Sequence, residues 1–238
     1  MYTPEIYKNE NQEEIKKFLQ ENSFGILINQ TNGKLWATHI PLELDTNENG
    51  ATILSGHISK ENPQWNGFID NDQVLAVFSG PHSYISSSWY DHENVPTWNY
   101  IAVHVYGKIK IIEGEAVIES LKKLVDKYEQ KSENPVRIED LSQKIMLQSR
   151  GIVAFEIEIT EIQATRKMSQ NRDEKNYQNI ISELEKANTN QSVAVANEMK
   201  KCPPINSLEI YTFYLTIYNS IHTFVVSRNF GIINSLNS

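Results

Sequence analysis

The chain has 238 residues and a formal net charge of −8. That length supports a substantial core, as one large domain or a domain with an appendage, and the acidic balance disfavours broad binding to phosphate backbones. Cys202 is the single cysteine, which excludes an intrachain disulfide and any Cys-x-x-Cys metal or redox pair and fits a reducing cytoplasm.

Met1–Gln20 carries Glu5, Lys8, Glu10, Glu13 and Glu14, and reads as neither a signal nor a transit peptide. Within it, Ile15, Phe18 and Leu19 share a face, predicting a short helix over 11–20 with glutamates at its positive end. Phe24–Gln30 reads as a strand that turns through Asn32-Gly33 into a second strand over 35–44. Strands are also expected over 52–58 and 73–78, with Pro63 interrupting the pattern between them. Ile101, Val103, Val105 and Ile109 alternate with polar residues across 100–112, the mark of a long half-buried antiparallel strand. Helices are predicted over 115–129 and 138–148, a sixth strand over 153–160, and a last helix over 173–186. Six strands joined mostly by short turns, with helices late in the chain, indicate an antiparallel barrel with helices outside it, α+β overall. In Pro203–Ser238 only Glu209 and Arg228 are charged, and Leu208–Ser227 is about long enough to span a bilayer. Its interrupting Glu209, Asn219 and His222 and its lack of a cationic flank argue for an appended extension instead.

Several chemistries are excluded. There is no Gly-x-Gly-x-x-Gly, no Walker loop and no Gly-x-Ser-x-Gly elbow, and His92-Glu93-Asn94-Val95-Pro96 lacks the second histidine of a zinc protease. A metal at His82, His92 and His104 is not expected, since a single histidine on an alternating strand is usually a hydrogen-bonded barrel residue. What remains is a pocket built on stacking and hydrogen bonds, concentrated in Val77–Gly107 with its dense Trp, Tyr and His among Ser, Thr and Asn. For a flat anionic ligand, Thr38, Ser86, Ser88, Asn99, Gln170 and Asn171 suit a polar edge, and His57, Lys60 and Lys167 suit a phosphate tail. Composition does not single out flavin among such ligands. Trp65, Trp89 and Trp98 read equally well as core or subunit-contact aromatics, Lys167 as a solvated charge, and Ser169-Gln170-Asn171 as a helix cap.

Five blocks carry a resemblance: Ala-Thr-His-Ile-Pro-Leu (37–42), Gly-His-Ile-Ser-Lys-Glu-Asn-Pro-Gln-Trp (56–65), Gly-Pro-His-Ser-Tyr-Ile-Ser-Ser-Ser-Trp-Tyr (80–90), Val-Pro-Thr-Trp-Asn-Tyr-Ile-Ala-Val-His-Val-Tyr-Gly (95–107) and Lys-Met-Ser-Gln-Asn (167–171). Together they closely resemble the PaiB family, bacterial FMN-binding split-barrel proteins named as negative transcriptional regulators of protease synthesis and sporulation. The resemblance covers residues 1–201, including a C-terminal helical part, and leaves 202–238 as an atypical extension. It implies an antiparallel, Greek-key-like split β-barrel, a cytoplasmic homodimer and FMN sites at the subunit interface. It further implies that Thr38, His39, His57, Asn62, Tyr84, Ser86, Ser88, Trp89, Thr97, Trp98, Asn99, Lys167, Ser169, Gln170 and Asn171 line the flavin site, with His57 and Asn62 toward the phosphate. The family usually carries Pro where Ser87 stands.

The first functional expectation is therefore an FMN-binding regulator working through a small-molecule signal or a protein partner. Direct DNA binding is doubtful, because the chain is acidic and has no basic recognition helix. An alternative is a flavin-dependent oxidoreductase of the pyridoxamine-phosphate-oxidase-like superfamily, with His39, His82 and Tyr84 the first choices for acid or base. Another is a dimeric interaction module without cofactor. No membrane association and no protease activity are expected.

Overall fold

A computed structural model describes residues 1–205. The bilayer-length stretch 208–227, and all of the proposed extension beyond Ile205, lie outside the described residues. Strands β1 (Phe24–Thr31), β2 (Lys34–Pro41), β3 (Glu43–Thr46), β4 (Thr52–Ser59), β5 (Gln73–Ile85), β6 (Thr97–Ile112) and β7 (Ile152–Lys167) form one sheet in the order β2-β1-β5-β6-β7-β4-β3. Helices are α1 (Gln12–Glu21), α2 (Asn66–Asp70), α3 (Glu115–Glu129), α4 (Gln143–Met146), α5 (Glu174–Ala187) and α6 (Asn190–Lys201). The seven-stranded antiparallel sheet with flanking helices matches the expected mainly-β class. Among the described residues no helix is long and apolar enough to cross a membrane.

The chain divides into two compact units, Met1–Pro81 with Tyr100–Arg166, and His82–Asn99 with the chain from Lys167 onward. In the first unit the β1–β2 hairpin closes over Asn32 and Gly33, both at positive φ (51° and 75°), the backbone a two-residue primed turn requires. One face of the sheet makes the core: Leu27, Ala76, Phe78, Val105, Phe155 and Ile157 are fully buried. Close approaches within this sheet leave no room for a side chain at two glycines. A Cβ on Gly56 of β4 would stand 3.1 Å from the Pro41 carbonyl at the end of β2, and one on Gly107 would stand 2.5 Å from the Glu158 carbonyl of β7. Leu19 and Ile15 of α1 are buried in the same core, and Asn11 caps that helix by accepting from the amides of Glu13 and Glu14.

Three elements differ from expectation. The strand over 35–44 is two strands, because Leu42 turns inward, fully buried, and its amide donates to the Ser23 carbonyl at 2.8 Å. The helix over 138–148 is broken into two short 3-10 turns and α4, whose start is capped by Ser142. No residue of α3 is buried, despite its apolar stripe. This helix is tethered by polar contacts instead: Lys123 pairs with Asp45 at 2.6 Å, Lys127 with Glu43, and the Tyr128 hydroxyl donates to Glu43 at 2.9 Å.

In the second unit α5 and α6 form an antiparallel hairpin, turned at Asn188 (φ 48°) and restarted by a Thr189–Ser192 capping box. Tyr177, buried at 1% exposure, donates its hydroxyl to the Met199 carbonyl at 2.7 Å and so ties the two helices together. The helix over 190–201 is not marked by periodicity and lies in the C-terminal helical part that the resemblance implies.

Candidate functional site

The predicted site residues fall into separate groups. In the first unit, Thr38 of β2 meets the turn that follows β4. Its hydroxyl donates to Gln64 Oε1 and accepts from Asn62 Nδ2 at 2.9 Å, while Asn62 Oδ1 caps the Pro63–Trp65 turn by accepting from the Gln64 amide at 3.0 Å. Both side chains are thus already engaged. The centre of the network is Gln64, fully buried, whose Nε2 donates to the Leu27 carbonyl at 3.0 Å and whose own carbonyl accepts from Asn29 and Thr31. Sequence reasoning missed this residue. Its only signal was an amide lodged beside Trp65 at the start of a turn.

His39 follows Thr38 on β2 and so projects to the opposite face, where it is exposed and stacks on Phe24 with ring centres 6.4 Å apart. His57 of β4 is half-buried and lines a recess of about 140 Å³ with Pro41, Ser55, Ser120, Lys123 and Lys127. Burial holds its pKa below the ordinary value. The unfolded chain therefore takes up the proton first as pH falls through about 6.5, so His57 costs stability on the acid side of that point down to its folded pKa. We expect His57→Gln to shrink the difference in melting temperature between about pH 7.5 and about pH 5 by roughly 2 °C or more. Melts that track wild type at both pH values would remove His57 as the cause.

The second unit holds the larger group. Thr97 and Asn99 of β6 meet the loop that leaves β7. Lys167 Nζ donates to the Thr97 hydroxyl, and Ser169 donates to Asn99 Oδ1 at 3.0 Å. Asn99, Ser169 and Gln170 are buried, and Ser169 sits at φ 58°, a left-handed conformation a serine keeps only when its surroundings impose it. Gln170 Oε1 accepts from the Met168 amide at 2.7 Å, and Asn171 is half-buried on the same loop. Burial, and then the nearby Arg172, hold the Lys167 pKa below the ordinary lysine value.

Trp98 lies between Thr97 and Asn99 and points the other way. It is 53% exposed, with Tyr84 edge-on at 6.0 Å and His82 at 6.2 Å between ring centres. Ser86, Ser88 and Trp89 form a third group, a capped turn: Ser86 Oγ accepts from the Ser88 amide at 3.2 Å, and the Trp89 carbonyl accepts from Asn179 at 2.6 Å. The following loop is fastened at Asp91, whose carboxylate accepts from Lys175 and His92 at 2.8 Å and from Asn176 at 2.9 Å. Those partners, Lys175 first, hold Asp91 far below the usual carboxylate range. Arg172, which sequence reasoning passed over though it adjoins Asn171, lies 5.1 Å from the Tyr90 ring centre.

The seven-stranded antiparallel sheet with its flanking helices is a split β-barrel. Among solved structures, the flavocytochrome Anf3 of Azotobacter vinelandii aligns with a TM-score of 0.55 and 18% identity over 73% of this chain and 75% of that one. A FAD and heme binding protein of Mycobacterium smegmatis gives 0.53 and 13% over 68% and 73%. At these identities the likeness is one of fold.

Residues 1–161 match the family described as "Putative FMN-binding domain". The chain is 47% identical over 186 residues to the Protease synthase and sporulation protein PAI 2 of Bacillus subtilis, covering 78% of this chain and 89% of that protein. It is also 27% identical to an uncharacterized protein, AN0679, of Emericella nidulans, over 84% of this chain and 97% of that one. The chain belongs to the PaiB family of FMN-binding domains, and FMN is its cofactor. The residues present suit a phosphate in kind: Lys167 Nζ stands at the Thr97 hydroxyl, with Arg172 on the loop that follows.

Proposed function

We propose that this protein is a negative regulator of protease production and sporulation that uses bound FMN and works as a homodimer. The observation that carries the regulatory reading is its 47% identity to a Bacillus subtilis protein whose name ties that protein to protease synthesis and sporulation. When bound, FMN supplies hydride and electron chemistry at its ring. The second unit would hold it, with Lys167, Thr97 and Ser169 on the phosphate. Regulation then passes through a partner or a sensed small molecule, since a chain of net charge −8 is repelled by an operator's phosphates.

The test is replacement in the relative's own setting. Bacillus subtilis lacking PAI 2 and expressing this chain should secrete several-fold less protease than the same strain with an empty vector. The purified protein should show a flavin absorption band and no sequence-specific gel shift at physiological salt. Unchanged protease secretion would overturn the regulatory reading, and a tight specific shift would overturn the indirect route.

A further inference from the structure

One recess of the first unit is lined in a way that packing does not call for. On β4, Leu54 and Ile58 turn into the core, so Ser55 and His57 face the other side of the sheet. The register sets Ser55 beside Glu43 on β3 and His57 beside Ala154 on β7. Over them lies α3, which turns Ser120, Lys123, Leu124 and Lys127 toward the sheet. That spacing is one helix face, the face a helix ordinarily fills with apolar side chains when it packs on a sheet. Here only Leu124 is apolar. Between helix and sheet a space of about 140 Å³ remains. At about 30 Å³ per water it holds roughly five waters' worth, below the range of a pocket for a drug-sized ligand.

The lining has hydrogen-bonding capacity left over. Among the described residues, neither the His57 ring nor the hydroxyls of Ser55 and Ser120 have a hydrogen-bond partner. At the rim stand two ion pairs, Lys123 with Asp45 at 2.6 Å and Lys127 with Glu43. The charges of the lining therefore cancel: two ammonium groups, two carboxylates and an imidazole that burial keeps neutral at pH 7.

We propose that this recess binds a small α-amino acid as its zwitterion, with the carboxylate on His57, Ser55 and Ser120 and the ammonium on Glu43 and Asp45. Charge selects the class. A simple anion would face the two carboxylates and a simple cation the two lysines, each with like charges opposed. A zwitterion bridges both pairs, since Lys123 and Lys127 back its carboxylate while the acids accept from its ammonium, and no charge is left alone. Leu44, Leu124 and Pro41 offer a short apolar wall to a small side chain. The helix α3 would register the ligand. None of its residues is buried, and it is tethered to β3 through the same Glu43 and Asp45, so occupancy exchanges helix tethers for ligand bonds. This gives the sensed small molecule a site and a chemical class, and in its biological role rests on the regulatory reading above.

Isothermal titration calorimetry of the full chain, with FMN added, tests binding directly. Glycine, L-alanine, L-serine and L-valine are the probes, and at least one should fill a single site with a Kd of about 1 mM or tighter. Propionate and ethylamine, each with one of alanine's two charges, should bind at least tenfold more weakly. Ser120→Leu, which fills the recess from the helix, should reduce affinity at least tenfold with an unchanged circular dichroism spectrum, and Lys123→Met should do so from the rim. Lys122→Met, at an α3 position that pairs with Glu139 outside the recess, should leave affinity unchanged. No heat of binding and no rise in melting temperature with any of the four amino acids at about 10 mM overturns the proposal. So does an affinity that survives both Ser120→Leu and Lys123→Met, or one that propionate matches. The Bacillus subtilis replacement separates the two readings: binding with unchanged protease secretion sinks the regulatory reading alone, and repression without binding sinks this site alone.

Discussion

Lys167→Met should weaken FMN binding about ten- to a hundredfold while leaving the flavin-free protein as stable as wild type or slightly more so. The loss follows from removing a charge-assisted bond to phosphate, typically about 1.5–3 kcal/mol, with each 1.4 kcal/mol a factor of about ten. The gain follows from the same ammonium's position, where burial and Arg172 disfavour its charged form in the absence of an anion. Its folded pKa is depressed, so the penalty is present while the group is protonated and fades as pH rises from the folded value toward the unfolded one. FMN affinity should fall over that same rise, as the cation is lost. Fluorescence quenching titrations with the apoprotein, together with thermal melts, read both effects. Binding within twofold of wild type would take Lys167 out of the phosphate site. A cooperative loss of structure would mean the residue is architectural.

Gln64→Leu should lower the melting temperature by roughly 5–15 °C. The substitution keeps the volume and removes the amide, leaving the Leu27 carbonyl without the bond it receives and the Thr38 hydroxyl without its acceptor. Each stranded group costs about 1–3 kcal/mol, and for a chain of this size each kcal/mol moves the midpoint by about 2–4 °C. Thr38→Val removes only one end of the network and should cost about 1 kcal/mol. A Gln64→Leu shift under about 2 °C would show that the turn after β4 is held by packing alone.

Much of the architecture was legible because burial leaves a period in the sequence. Val103, Val105, Gly107 and Ile109 are buried and the residues between them are not, so the alternation in β6 was readable directly. Asn32-Gly33 announced the first hairpin by the backbone it needs. The break at Leu42 was illegible, since it depends on a carbonyl nineteen positions earlier and local alternation runs through it unmarked. Helix α6 opens with Asn190, Gln191 and Ser192, and its buried Val195, Ala196 and Met199 make too short a stripe to stand out against that polar start.

The site was legible by residue type and not by direction. Thr97, Trp98 and Asn99 look like one cluster in sequence, yet strand geometry sends Trp98 away from its neighbours, and Thr38 and His39 part in the same way. Gln64 was invisible for a related reason. Its importance comes from the carbonyl of Leu27 and the hydroxyl of Thr38, brought to it by strands that the local sequence does not name.

The tight turn of the first hairpin has a chemical cost over time. The sequence contains three Asn-Gly pairs, at 32–33, 49–50 and 66–67. In the first two the glycine is exposed at positive φ, on an open turn where its amide nitrogen can close onto the asparagine side chain, expel ammonia and form a succinimide, at Gly50 once that amide releases the Asn47 carbonyl 2.9 Å away. Gly67 is buried inside α2, where its Cα lies against the Gln30 carbonyl and the Thr31 hydroxyl, and that ring closure is blocked. Stored protein should therefore age at Asn32 and Asn49 while Asn66 stays intact, drifting acidic on an ion-exchange column as two turns, and not the core, deamidate.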